Sequence, residues 1–470
     1  MRKLEVLITL LFFSLMASAS WAQTFTVVGY FGGASGDYPV NVVPAQSIAG
    51  SLFGTTSHGG SGYEGTIFRI TPAGVLSSVA NFDDTNGCCP TAGLVLATDG
   101  NFYGTSYGGG SADAGTVFRT SPQGAISTLY SFCMQANCAD GSTPVAALVH
   151  GLDGNFYGTT QFGGSGACGY GCGTIFRVSQ TGVLTTLRSF NATDGSDPSG
   201  LIQATDGNFY GTTPATVFKM TPAGELTTIY QFCSQANCAD GNIPKNALVQ
   251  GRDENFYGTT SAGGANCVST GGCGTIFRLT RKGTLTTLYS FCSQSGCSDG
   301  AYPYASLVQG TDGNFYGTTE GGGIQSPCYG GCGTIFMITK EGEFRSLHSF
   351  DFTSEGVSPD AGLMQATNGS FYGTTPSGSD DGTIYQLDMG LGPFVTLIRA
   401  AGKIGQTDGI LGQGFMGTAS VEFNGVSATF RVVSDTYLMA TVPSSATTGY
   451  VTVTTPSGVL TSNVPFRLIP

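Results

Sequence analysis

Charge is scarce in this sequence. Asp, Glu, Lys and Arg supply 10% of its 470 residues, against roughly 25% in a typical globular chain. Basic residues number 18 and acidic residues 30, for a formal charge of −12. That balance excludes the basic stripe with which a protein displaces counterions from nucleic acid. His58, His150 and His348 are the only histidines, and they fall at unrelated positions, so neither a His-rich metal site nor a triad is indicated. Trp21 is the single tryptophan. Beyond residue 22 there is no stretch of about 18 apolar residues, so no transmembrane segment is expected in the mature chain. Nor does any segment carry a 3.6-residue apolar period.

What the chain has in quantity is glycine (74 residues) and aromatic side chains (11%), without the triplet period of collagen. Short strands joined by tight turns suit that composition. At the N-terminus, Arg2 and Lys3 precede an apolar run from Val6 to Met16 and the small residues Ala17, Ser18, Ala19, Ser20 and Ala22. This is the form of a signal peptide over residues 1–22, cut after Ala22 or, alternatively, Ala19. The mature chain then lacks Trp. Fourteen Cys in an exported chain predict disulfides and no free thiol. Their spacing leaves three arrangements open: local staples within a loop, bridges between two loops of one unit, and a four-cysteine zinc site.

One phrase recurs seven times, from Leu52-Phe53-Gly54-Thr55-Thr56 through Phe102-Tyr103-Gly104 to Phe371-Tyr372-Gly373-Thr374-Thr375. A period near 50 residues marks stacked supersecondary units. Each unit divides into four strands. Strand A is of the Ala247-Leu248-Val249-Gln250 kind, and a turn such as Asp312-Gly313-Asn314 leads to strand B, the recurring phrase. Strand C resembles Thr174-Ile175-Phe176-Arg177-Val178, and a turn such as Thr221-Pro222-Ala223-Gly224 leads to strand D. Strands A, B and C each occur seven times, but D follows C only six times. A lone D-like stretch, residues 24–31, lies at the mature N-terminus and is expected to complete the last unit, since closure removes unpaired edges. The expected fold is all-β, a seven-bladed β-propeller over residues 23–390.

The composite of Asp-Gly-Asn-Phe-Tyr-Gly-Thr-Thr, Gly-Thr-Ile-Phe-Arg and Leu-Thr-Thr-Leu-Tyr-Ser-Phe resembles the GloVer tandem repeats of exported bacterial proteins. The resemblance implies secretion or surface display and no established chemistry. The first unit departs from it at Ile48-Ala49-Gly50-Ser51, and the fourth in its two-residue Pro214-Ala215 loop. Residues 391–470 are similar to an IPT/TIG domain, through Gly409 to Phe415, Phe423 to Val426, Ala440 to Pro443 and Val451 to Pro456. An immunoglobulin-like β-sandwich serving as spacer or accessory module is what that resemblance implies. The polar Gln406-Thr407-Asp408 leaves the start of its entering strand undefined.

Recurrent acids precede Gly or a turn: Asp140, Asp240 and Asp299 in the D–A loops, Asp99, Asp153, Asp206 and Asp312 in the A–B turns. They read as turn formers; calcium would need six to eight converging oxygens. The Tyr of strand B reads as interblade packing, with sugar stacking as the alternative. Gly321-Gly322-Gly323 lacks the Lys and Ser/Thr of a phosphate loop. No carboxylate pair stands out from the repeat, and no catalytic, metal or cofactor-binding set is assigned. The reading is a secreted or cell-surface, non-enzymatic binding propeller whose ligand is unidentified, a glycan or a surface protein. The alternative is a propeller enzyme acting on extracellular polysaccharide. The B–C and D–A loops hold every Cys and vary most in length, so the ligand is expected on that face, near the fifth and sixth blades.

Overall fold

The computed structural model describes residues 23–166, 168–267, 272–378 and 381–469; residues 1–22, expected from sequence to be a signal peptide, lie outside them. Among these residues the secondary structure is β-strand with four short 3-10 turns, the first at Gly33–Ser35 and the last at Ser295–Cys297. No helix there is long and apolar enough to cross a membrane.

Six consecutive repeats each form a four-stranded antiparallel sheet in the order A-B-C-D. In the fifth, for example, Val249–Gln250, Phe256–Thr260, Thr275–Leu279 and Leu285–Ser290 pair in turn. The seventh sheet takes its fourth strand from the N-terminus: Thr24–Tyr30 pairs antiparallel with Thr383–Asp388, Thr24 opposite Asp388 and Tyr30 opposite Thr383. Strand A is shorter than its apolar run suggests, two paired residues in six of the seven sheets. Just upstream of it, a backbone carbonyl accepts a bond from the neighbouring sheet.

That bond explains the phrase Gly-Thr-Thr. The first Thr hydroxyl donates across to the next sheet: Thr55 to the Ala92 carbonyl (3.0 Å), Thr259 to Ala305 (2.9 Å), Thr318 to Ala361 (2.9 Å). In the seventh sheet Thr374 donates to Val42 of the first, at 3.1 Å. The second Thr pins the base of the B–C hairpin, as Thr260 with Thr275 (2.8 Å) and Thr319 with Thr334 (2.8 Å). The Gly is sterically required. A Cβ on Gly158 would lie 2.6 Å from the ring of Phe176 in strand C.

Aromatic rings fill the space between sheets. The strand-B Tyr of one repeat lies on the strand-B Phe of the next: Tyr103 on Phe156 (4.0 Å between centroids), Tyr210 on Phe256 (4.2 Å), Tyr257 on Phe315 (3.9 Å) and Tyr316 on Phe371 (4.3 Å). Each such Tyr hydroxyl donates to the turn Asp that precedes it, as Tyr257 to Asp253 at 2.8 Å. The repeated Tyr is therefore a packing residue.

After Asp388 the chain enters two further antiparallel sheets. One orders Thr396–Leu397, Thr407–Leu411, Tyr437–Thr441 and Thr429–Ser434; the other orders Val426–Ser427, Ser420–Phe423, Val451–Thr455 and Gly458–Thr461. They enclose a core that includes Phe415, Val421, Leu438 and Val453. The polar entry is a true strand: Asp408 sits inside it because the Arg399 Nε donates to its carboxylate at 2.8 Å. These sheets lie over the A–B turns. Thr436 donates to the Ile48 carbonyl (2.8 Å), Gln413 to Thr367 (2.9 Å) and Arg252 to the Asn463 carbonyl (3.3 Å).

The N-terminal strand carries Phe25, stacked 3.8 Å from His348, and leads to Phe31, which is buried against Phe68. Deleting residues 24–31 is expected to cost on the order of 5 kcal/mol from lost aromatic burial alone and to open the seventh sheet. Calorimetry of the truncated protein should show a single transition many degrees below that of the parent. An unchanged melting temperature would refute this closure.

Candidate functional site

The residue three before the Leu that opens strand A is where the repeat loses its uniformity. It is Val145, Lys245, Tyr304 and Asp360 in the third, fifth, sixth and seventh repeats, and Asn41 holds the matching place before Pro44. These positions line one cavity of about 370 Å³ together with Ser199, Asn246 and Glu320. Contributions from six repeats to a single cavity place it on the common axis of the sheets, at the end where D–A and B–C loops emerge. Glu320 enters from the start of a long B–C loop.

The cavity is polar and held by bonds among its own members. The Lys245 Nζ sits 4.5 Å from the ring centroid of Tyr304, in cation–π range. The Asn246 side-chain amide donates to the Tyr304 carbonyl, and the Asn41 backbone N–H donates to Asp360 Oδ1 at 3.2 Å. Burial pushes the Asp360 carboxyl up to about 7, with Glu320 adding to the rise and the Asn41 N–H opposing it. Burial also raises Glu320, while Lys245 acts to lower it. Tyr304 is raised by burial and by the charges of Glu320 and Tyr302. Two carboxyl groups, both raised by burial, thus share one cavity with a cation and an aromatic ring.

Two carboxylates, Asp360 and Glu320, thus line the same cavity. Asp360 and Glu320 are 40 residues apart, in a D–A loop and a B–C loop, and only the ring brings them together.

The other residues singled out from sequence have structural employment. Asp140, Asp240 and Asp299 are fully buried. Asp140 accepts from the Tyr130 hydroxyl (2.7 Å) and from the backbone N–H of Met134 (3.0 Å) and Gln135 (3.2 Å). Asp99 accepts from Asn101 and Tyr103; burial acts to raise its carboxyl, but those bonds outweigh it and hold the group below its ordinary value. The three histidines stay apart. His58 Nδ1 meets Ser57 Oγ at 2.9 Å, but that hydroxyl also reaches the Tyr38 carbonyl. Burial, and then Arg399, push His150 down to about 4. His348 pairs with Glu355 at 2.8 Å.

All fourteen Cys form local disulfides: Cys88–Cys89, Cys133–Cys138, Cys168–Cys172, Cys233–Cys238, Cys267–Cys273, Cys292–Cys297 and Cys328–Cys332. Of the arrangements left open by the spacing, the structure has the staples. They flank a face that bears exposed rings. Among the described residues, Tyr38, Tyr63, Tyr107, Tyr170, Tyr329 and Phe352 are exposed, and all belong to B–C or D–A loops.

No curated protein matches this chain in sequence. Solved structures resemble it in fold. Virginiamycin B lyase from Staphylococcus aureus is 15% identical, with a TM-score of 0.52, and the match covers 78% of this chain and 99% of that one. A streptogramin B lyase is also 15% identical, with a TM-score of 0.50, over 78% of this chain and 97% of the other. The extracellular domain of a hybrid two-component system from B. thetaiotaomicron is 11% identical, with a TM-score of 0.51, over 96% of this chain and 59% of that one. These likenesses make the fold propeller-like. The profile of the Gloeobacter/Verrucomicrobia repeat matches residues 12–169, 134–270 and 213–429. Those spans cover well over half of the sequence, and the chain belongs to the Gloeobacter/Verrucomicrobia repeat family.

Proposed function

We propose that the protein is an exported, non-enzymatic glycan-binding protein. In this reading residues 1–22 are its signal peptide, 23–390 a seven-bladed β-propeller and 391–470 an IPT/TIG-like immunoglobulin sandwich. The glycan is held at the channel mouth on the B–C/D–A face. The observation that carries the reading is the break in the repeat: Asn41, Lys245, Tyr304, Glu320 and Asp360 supply donors, acceptors and a ring to one cavity. A sugar needs that mixture of hydrogen-bonding groups and an aromatic face. The exposed Tyr170 and Tyr329 in flanking loops extend it with surfaces on which further sugar rings can stack. Seven disulfides support an oxidising location, and the sandwich, lying over the opposite face, serves as spacer.

A second reading has a specific observation behind it. A buried carboxyl that titrates near neutrality beside a second carboxylate is the pairing that glycoside cleavage uses for proton transfer, and Asp360 with Glu320 has that character. In that case the cavity cleaves the glycan rather than holding it.

Titrating the purified protein against a panel of neutral and acidic oligosaccharides, while assaying for released reducing ends, separates the two. Binding without release supports the first reading and release supports the second; neither, across the panel, removes the glycan. Tyr304→Ala and Lys245→Ala should each weaken binding about ten-fold or more, since each removes a contact worth over 1 kcal/mol. Asp312→Asn, on the opposite face, should leave affinity unchanged.

Asp360 also makes a pH prediction. Its folded value near 7 lies above its ordinary 3.8, so between those limits the folded chain holds a proton that the unfolded chain has lost. The stability this contributes is full below about pH 4 and is lost as the pH rises through about 7. Asp360→Asn should flatten that decline in denaturant titrations at pH 5 and pH 8. Equal pH dependence in parent and variant would contradict the assignment.

A further inference from the structure

Among the described residues, rings meet rings at the strand-B junctions from Phe53–Phe102 through Tyr316–Phe371. Where the last repeat meets the first, the pattern breaks. Tyr372 packs there in a cluster with Leu52, which stands where every later repeat has Phe. Tyr372 is half-buried, whereas the strand-B Tyr of the second to sixth repeats is buried.

Two further residues depart from the repeat at the same place. The turn Asp is replaced by Asn368, whose side-chain N–H donates to the Tyr372 hydroxyl at 3.2 Å. Asn368 Oδ1 accepts from the Ser370 backbone N–H at 3.1 Å, which fixes the amide in that orientation. In the second to sixth repeats the Tyr hydroxyl gives its proton to the Asp carboxylate; that of Tyr372 remains free to donate. The residue paired with the Tyr across strand C is Arg or Lys in the second to fifth repeats, and Gln386 in the seventh. Gln386 donates through Nε2 to Ser370 at 2.9 Å, and Gln413 of the C-terminal segment through Nε2 to Thr367 at 2.9 Å. The Oε1 of each accepts no bond among the described residues and is open to solvent.

All these residues line one cavity of about 350 Å³ between the seventh repeat, the first and the C-terminal sheets. Leu52, Ile70 and Ala366 give it an apolar wall, and none of its lining side chains is charged. We infer that this cavity binds a neutral monosaccharide, with its C–H face on Tyr372 and Leu52 and its hydroxyls bonded by Tyr372, Gln386 and Gln413. A pyranose offers one apolar face and a rim of uncharged donors and acceptors, the complement of this lining. A carboxylate would give up its water here and find no cation. The site is separate from the cavity of Lys245, Tyr304 and Asp360, and neither requires the other.

Isothermal titration of the purified protein with the methyl glycosides of glucose, galactose and N-acetylglucosamine, and with glucuronate, tests this. Leu52→Phe restores the ring that the other junctions have and covers Tyr372. At least one neutral glycoside should bind in a one-to-one event that Leu52→Phe abolishes and Tyr304→Ala leaves unchanged. Glucuronate should show no event sensitive to Leu52→Phe. A melting temperature of Leu52→Phe no lower than the parent's would show the fold intact. If it falls, Tyr372→Phe decides: it keeps the ring and loses the hydroxyl, so affinity should drop about five-fold. Absence of any binding event lost in Leu52→Phe, equal loss for glucuronate, or unchanged affinity in Tyr372→Phe would each overturn the proposal.

Discussion

The stack of one strand-B Tyr on the strand-B Phe of the next repeat is the contact on which the rest of the ring depends. Such pairs contribute about 0.5–1.5 kcal/mol each beyond their buried area, and the contact recurs at five junctions, from Tyr103–Phe156 to Tyr316–Phe371. The geometry leaves no freedom. A turn Asp holds the hydroxyl, the following Gly admits the strand-C Phe, and the Thr after it reaches the neighbouring carbonyl. Each residue of the phrase meets a different sheet or strand, and the one change in its second Thr, to Ser106, keeps the hydroxyl that meets Thr116.

Variation is displaced to places the stack does not touch. Those are the loops at one end of the sheets and the residues that open strand A. Local disulfides add order to the loops without linking distant parts of the chain, since each joins residues no more than six apart in sequence. The same displacement concentrates chemistry in the cavity proposed as the mouth of the ring. Lys245, Tyr304 and Asp360 occupy one repeat position, and the ring turns that position into a cavity. The C-terminal sheets cover the other end, over the A–B turns.

The strands were legible because the same phrases recur once in each of the seven repeats. The pairing of residues 24–30 with the last strand C followed from counting strands, with no knowledge of the distance between them. The mouth was not legible, and the reason is register. The first repeat has one residue more than the others between its Pro39 and strand A, and the fourth one fewer after Pro198. Asn41 therefore does not align with Asp360 on the page. In addition, each mouth residue stands alone among loop residues, tens of residues from its neighbours in the cavity. Asp408 was opaque for a different reason: a charged residue inside a strand is tolerated only with its partner, and Arg399 nine residues earlier gives no local sign of being that partner.

Hydrogen exchange of a Tyr257→Ala variant tests the central claim, that the aromatic stack makes the ring one cooperative body. Loss of this ring removes a side chain stacked at 3.9 Å on Phe315. If the stack couples the sheets, exchange should accelerate in the strand-B amides of remote repeats, such as Phe102–Ser106, as well as in Phe256–Thr260 and Phe315–Thr319. Acceleration confined to the fifth and sixth repeats, with remote strands protected as in the parent, would contradict it.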